Sequence, residues 1–208
     1  MLAYQVFANR NDLMDGLSFL QRIDRSPLMR SELAELSACL DEHTDLEAIA
    51  CPGLPEQIPL TLHGVYGRRE ILTAVGWMNA ARRPPSQSGV LALHDQKIEL
   101  LLVTLDKKEG FHERIAYHDY AISPELFHWQ TQNSAGRDTV GGRRYCESGN
   151  NDWRFQLFVR ESREDPYVAL GPVSIEGEPS GDRPMSITWR LQIPIPLPLF
   201  RRFSVLRG

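Results

Sequence analysis

Long apolar runs, a basic surplus and any repeated cysteine pattern are all missing from this chain of 208 residues. No stretch approaches the ~18–20 consecutive apolar residues of a transmembrane helix, so no membrane partner is expected. The N-terminal residues Met1-Leu2-Ala3-Tyr4-Gln5 lack the basic-then-apolar order of a signal peptide. Cys39, Cys51 and Cys146 are odd in number and scattered, with neither a CxxC pair nor metal-ligand spacing. That pattern argues against structural zinc and for a reducing cytoplasm. Cys39, on the apolar side of a predicted helix, reads as a small hydrophobe. A phosphate-cradling glycine loop, a Ser/His/Asp ordering and a zinc-deaminase signature are absent. His63, His94 and His112 stand alone and read as hydrogen-bonded residues rather than ligands. Neither a cofactor nor a metal is expected.

What is present is an ordinary globular composition, 42% hydrophobic and 24% charged, in a chain long enough for one domain and a small appendage. The net charge of −4 does not suggest a nucleic-acid binder, but its distribution is uneven. Acidic residues concentrate in 32–56 and 161–182, whereas Arg68-Arg69, Arg82-Arg83, Lys107-Lys108, Arg143-Arg144 and Arg201-Arg202 form basic doublets. Repeated doublets suit phosphate contacts, which supply most sequence-independent DNA affinity. Solvated surface charge accounts for any single pair equally well.

Along the chain, Leu13, Leu17, Leu20 and Ile23 recur at helical spacing over 11–23. A second helix is predicted from about Leu28 to Glu42, with Ser26 as cap and Pro27 at its first position. The proline-rich residues 51–59 read as a connector, so the domains are taken as a helical platform over 1–50 and a β-rich domain over 58–208. Residues 66–75 read as a short helix entered through a turn. Strands follow at 89–93, 98–104, 116–122, 127–131, 155–160, 168–176 and 187–191, separated by turn-formers that include Gly141-Gly142. The fold class is therefore α+β: a curved, antiparallel, barrel-like sheet with a small N-terminal helical segment. Prolines 194, 196 and 198 bar the tail from a central strand, and it is read as an extended segment laid over the core.

Residues 117–132, Tyr117-His118-Asp119-Tyr120-Ala121-Ile122-Ser123-Pro124-Glu125-Leu126-Phe127-His128-Trp129-Gln130-Thr131-Gln132, hold the strongest functional signal. Flat rings and planar hydrogen-bonding groups are the set that stacks on a nucleobase and reads its edge. A half-buried hairpin with polar tips needs the same residue types. Strand alternation puts Tyr117 and Asp119 on one face and His118 and Tyr120 on the other; Phe127 and Trp129 likewise lie opposite His128 and Gln130. The candidate base pocket comprises Tyr117, Asp119, Tyr120, Phe127, Trp129 and Gln132, with Tyr117 for stacking and Asp119 for pairing to an exocyclic amine. Candidates for the DNA backbone are Tyr66, Arg68, Arg69, Lys107, Lys108, Arg143 and Arg144, the last two in a mobile loop. A competing reading is a nuclease built on Asp95, Asp106-Lys107 and Glu70. A third is a docking or dimerisation module using an apolar tail with Phe200 and Phe203.

The strings Tyr117–Ser123 and Leu126–Gln132 resemble a C-terminal domain appended to bacterial superfamily-two helicases, many of which carry a phospholipase-D-type nuclease. The likeness extends to Leu102–Lys107, Gln156–Glu161, Ala169–Gly171 and Pro184–Trp189, and so covers most of residues 60–198. In that setting the domain resembles the target-recognition module of modification-dependent restriction enzymes of the SauUSI type. The resemblance implies an SRA-like (PUA-like) curved barrel that flips 5-methyl- or 5-hydroxymethylcytosine out of double-stranded DNA. It implies helicase and nuclease domains as partners, in cis or trans, and a chain that by itself neither cuts DNA nor hydrolyses ATP.

Overall fold

In the strand Leu126-Phe127-His128-Trp129-Gln130 every second side chain is buried, and in Met185–Leu191 the same alternation holds. Such a pattern belongs to a sheet with one face on a core and one on solvent. By contrast, Ile98–Val103 and Phe155–Val159 are buried on both faces, which places those strands in the covered part of the same sheet. The computed structural model describes residues 16–43, 48–78, 88–105 and 119–204. The chain divides into two compact units, Met1–Ile49 with Arg68–Ser86, and Ala50–Gly67 with Gln87–Gly208.

The first unit contains α1 (Gly16–Asp24), α2 (Pro27–His43) and α3 (Arg68–Ala74). As expected, Ser26 caps α2: its Oγ accepts the Met29 N–H at 3.3 Å, with Pro27 following. Cys39 faces solvent rather than a core, so its reading as a packed hydrophobe is corrected.

The second unit is an open α+β sheet, eight-stranded among the described residues and mostly antiparallel. Its strands are β1 (Val65–Tyr66), β2 (Val90–Leu93), β3 (Ile98–Thr104), β4 (Tyr120–Ala121), β5 (Leu126–Gln130), β6 (Arg154–Arg160), β7 (Tyr167–Gly181) and β8 (Met185–Leu191). The order is β2-β3-β6-β7-β8-β5-β4, with β1 added to β7. The β4 edge meets only a single bridge from Ala121 to Ser204, and no ladder joins β4 to β2, so the expected barrel is not closed among the described residues. One pairing also departs from the antiparallel expectation. β3 and β6 run parallel from Ile98↔Arg154 to Thr104↔Arg160, which the long intervening connection permits and a hairpin would not.

The core lies on the face shared by Leu101, Val103, Phe155, Leu157, Val168, Leu170, Phe127, Trp129, Ile187 and Trp189. Two short helices close it. The first, α4 (Val140–Cys146), replaces the loop expected around Gly141-Gly142. Thr139 is its cap, accepting the Gly142 N–H at 3.0 Å. Gly142 is needed there for space, since a Cβ would stand 1.9 Å from the Gly136 carbonyl oxygen. The second, α5 (Leu197–Phe203), begins directly after Pro196, so the tail is extended only up to that residue. Phe203 is fully buried and Phe200 packs against the core, so neither supplies the exposed apolar tail of the docking reading.

The opposite face of β6 is sealed by the connector. Gln156, fully buried, donates from Nε2 to the Pro52 carbonyl at 2.7 Å, and the Cys51 thiol donates to its Oε1 at 3.5 Å. Burial pushes the Cys51 thiol up to about 11, well away from the reactive thiolate. Iodoacetamide at neutral pH is therefore expected to alkylate exposed Cys39 and Cys146 and to spare Cys51 until the chain is denatured, as mass spectrometry would read. Labelling of native Cys51 at the rate of the other two would contradict this packing.

Candidate nucleic-acid interface

A row of side chains crosses the solvent face of the sheet from β4 to β7. Register pairs Tyr120 with His128, His128 with Thr188 and Thr188 with Glu176, so all four project on the same side. The Tyr120 and His128 rings stack, with centroids 5.1 Å apart and planes 24° from parallel. Both are half-buried.

Beside this pair, Gln130 pairs with Ser186, and its amide donates to Ser186 Oγ at 3.1 Å. The Gln130 backbone N–H donates to Asp119 Oδ1 at 2.8 Å. That bond ties the carboxylate to the β5 backbone where β4 begins. A tight turn holds β4 against β5: Ser123 Oγ accepts the N–H groups of Glu125 and Leu126 at 3.2 and 3.1 Å. On the other flank Arg190 donates to both carboxylate oxygens of Glu176 at 2.7 Å, which holds that carboxyl below its usual range. The resulting surface offers two flat rings, an amide, hydroxyls and a carboxylate. It can stack a planar group and hydrogen-bond its edge.

The structure separates the candidate base-pocket residues. Tyr120 and Asp119 lie at this surface, and Gln132 is exposed at the end of β5. Phe127 and Trp129 are buried on the reverse face. Trp129 stands edge-on to Tyr145 at 5.6 Å and tilted against Trp189 at 6.1 Å. Rings interlocked at these angles leave no slot for an inserted base, so the two act as core. Tyr117 lies outside the described residues, as do Lys107 and Lys108.

The backbone candidates also part company. Tyr66 turns its hydroxyl onto Thr61, accepting that residue's N–H at 2.8 Å. Arg68 and Arg69 open α3, in the other unit. Arg143 is exposed on α4, its guanidinium donating to the Asp138 carbonyl at 3.2 Å. Arg144, its neighbour, turns inward. It donates to Glu99 and lies 3.9 Å over the Trp153 ring. Asp106 of the nuclease reading is outside the described residues, and among those described no group of three or more His, Cys, Asp or Glu side chains could hold a metal ion.

Sequence reasoning passed over Glu99. Its carboxylate is fully buried on β3, on the core side, and accepts hydrogen bonds from both Arg144 and the Tyr145 hydroxyl. Burial and the Glu99 charge push the Tyr145 phenol well above its ordinary range, with Arg144 opposing. A single carboxylate inside the apolar run Ile98-Glu99-Leu100-Leu101-Leu102-Val103 was the available signal, because such a charge is buried only when paired. This triad anchors α4, and with it exposed Arg143, to β3, next to the β2 edge of the sheet.

No curated protein matches the chain. Residues 60–203, well over half of the sequence, match the model of the family described as Domain of unknown function (DUF3427), and the chain belongs to that family.

Proposed function

We propose that this chain is the target-recognition domain of a modification-dependent restriction system, a non-catalytic module that contacts double-stranded DNA and reads a modified cytosine. The observation that carries the reading is the half-buried Tyr120–His128 stack with Gln130 and Ser186 on the same face and Asp119 at the start of β4. A base turned out of its helix needs a ring to stack on and acceptors or donors at its edge, and this surface has both. The resemblance to the C-terminal domains of helicases supports the same assignment, with motor and nuclease supplied by partner domains in cis or trans.

In this reading the open sheet is a counterpart of the SRA-like barrel. Two irregularities interrupt its ladders: the β6–β7 register shifts at Leu157/Phe158, where Gly171 takes φ +87°, and the β7–β8 register shifts between Glu176 and Ser180. Bulges of this kind increase twist and curl a sheet around its core. The rings assigned to the base are then Tyr120 and His128, and Phe127 and Trp129 support them from behind.

The test is binding of the chain to matched duplexes carrying unmodified, 5-methyl- and 5-hydroxymethylcytosine at near-physiological salt. A modified duplex should be preferred. Stacking is worth ~1–3 kcal/mol per base, so Tyr120→Ala and His128→Ala should each lower that affinity roughly tenfold. Arg143→Ala should weaken all three duplexes alike and flatten the salt dependence. Equal, salt-labile binding to the three duplexes, unchanged by either ring substitution, would overturn the proposal.

A further inference from the structure

The helices α1 and α2 carry large apolar side chains on their surface. Leu20, Leu28, Leu36 and Leu40 are 57%, 71%, 55% and 57% exposed, while Phe19 is turned inward. Scattered single leucines on a surface are unremarked, but a stripe along one helix marks a contact. At about 3.6 residues per turn, Leu28, Leu36 and Leu40 share one face of α2. Glu32 lies within that face, and Glu35 and Glu42 run along one border of it. The helix has one arginine, Arg30, against four acidic residues, Glu32, Glu35, Asp41 and Glu42.

We infer that this face of α2 docks a helix of another polypeptide whose apolar stripe is rimmed by lysine or arginine. The leucines supply the buried area and the glutamates select the sign of the rim. A second copy of this chain fits poorly, since it would set Glu32, Glu35 and Glu42 against their own counterparts. An anionic lipid surface or nucleic acid is repelled for the same reason. The inference concerns α2 alone and stands whether or not the sheet surface reads DNA.

The probe is a synthetic helical peptide with a leucine stripe flanked by lysines, compared with its glutamate-flanked counterpart, against the full chain by fluorescence anisotropy. The lysine peptide should bind about tenfold more tightly, because several exposed ion pairs of modest individual strength act together. Replacing Leu28, Leu36 and Leu40 by Gln, which preserves helix propensity, should abolish binding. Glu32→Lys, Glu35→Lys and Glu42→Lys together should invert the preference, a readout that survives even if the leucine variant folds poorly. Equal binding of the two peptides, or binding that the leucine replacements leave intact, would overturn the inference. So would equilibrium sedimentation showing a dimer that the leucine replacements convert to monomer, which assigns the face to a second copy.

Discussion

Glu99→Ala is expected to lower the unfolding free energy by about 3 kcal/mol, measured by urea denaturation, with a fall in Tm of roughly 10 °C. The carboxylate is fully buried and serves two donors, Arg144 and the Tyr145 hydroxyl, so its removal strands both. Breaking a buried ion pair typically costs ~3–5 kcal/mol. The lower end applies because Arg144 retains 12% side-chain exposure and its place over Trp153, so its charge is not wholly abandoned. Glu99→Gln should cost less, because an amide oxygen still accepts from Tyr145. A loss below ~1 kcal/mol for the alanine variant would mean that α4 is held by its apolar contacts instead.

The same triad predicts an alkaline dependence. The folded state holds the Tyr145 phenol above its unfolded value of about 10, so it favours the neutral form. Its stabilising share is complete below about pH 10 and is lost as pH rises beyond that, when only the unfolded chain can ionise. Tyr145→Phe should lose stability less steeply than the parent between pH 9 and 11.

Trp189→Ala is expected to be at least as damaging, by about 3–5 kcal/mol. The side chain is fully buried, 5.0 Å from Phe155 and 6.0–6.1 Å from Tyr145 and Trp129 by ring centroids. Its indole Nε1 has no acceptor among the described residues, so the residue contributes by packing alone. Trp189→Phe separates the two effects. It keeps a ring in the cluster and removes a buried donor that costs ~1–3 kcal/mol when unmet, so the net loss should stay below ~2 kcal/mol. If Phe proves as harmful as Ala, the indole N–H must be satisfied in solution.

Local signals made much of this architecture legible. The seven residues Ile98–Thr104 were delimited by the apolar run itself, and Ser26-Pro27 marked the start of α2. Alternation also paired Phe127 with Trp129 and His128 with Gln130. It could not say which pair faces inward, because that depends on Ile187 and Trp189 across the β5–β8 ladder, about sixty residues on. The parallel β3–β6 pairing was hidden for the same reason. α4 escaped because two glycines read as a turn, and only the approach to Gly136 explains why a helix needs one of them. Glu99 went unread because its partners come in from residues 144 and 145, more than forty positions on.

The length of β7 has a consequence for how such a domain can diversify. Its first half pairs with β6 and its second half with β8, so this one strand joins the part of the sheet bearing Glu99 to the part bearing Tyr120 and His128. Residues gained or lost at the irregularity between Glu176 and Ser180 would reshape the far end of the β7–β8 hairpin while leaving the β6–β7 pairs and the Val173–Glu176 pairs with β8 in place. Natural variation in length is therefore tolerated at that end without disturbing the Tyr120–His128–Thr188–Glu176 row.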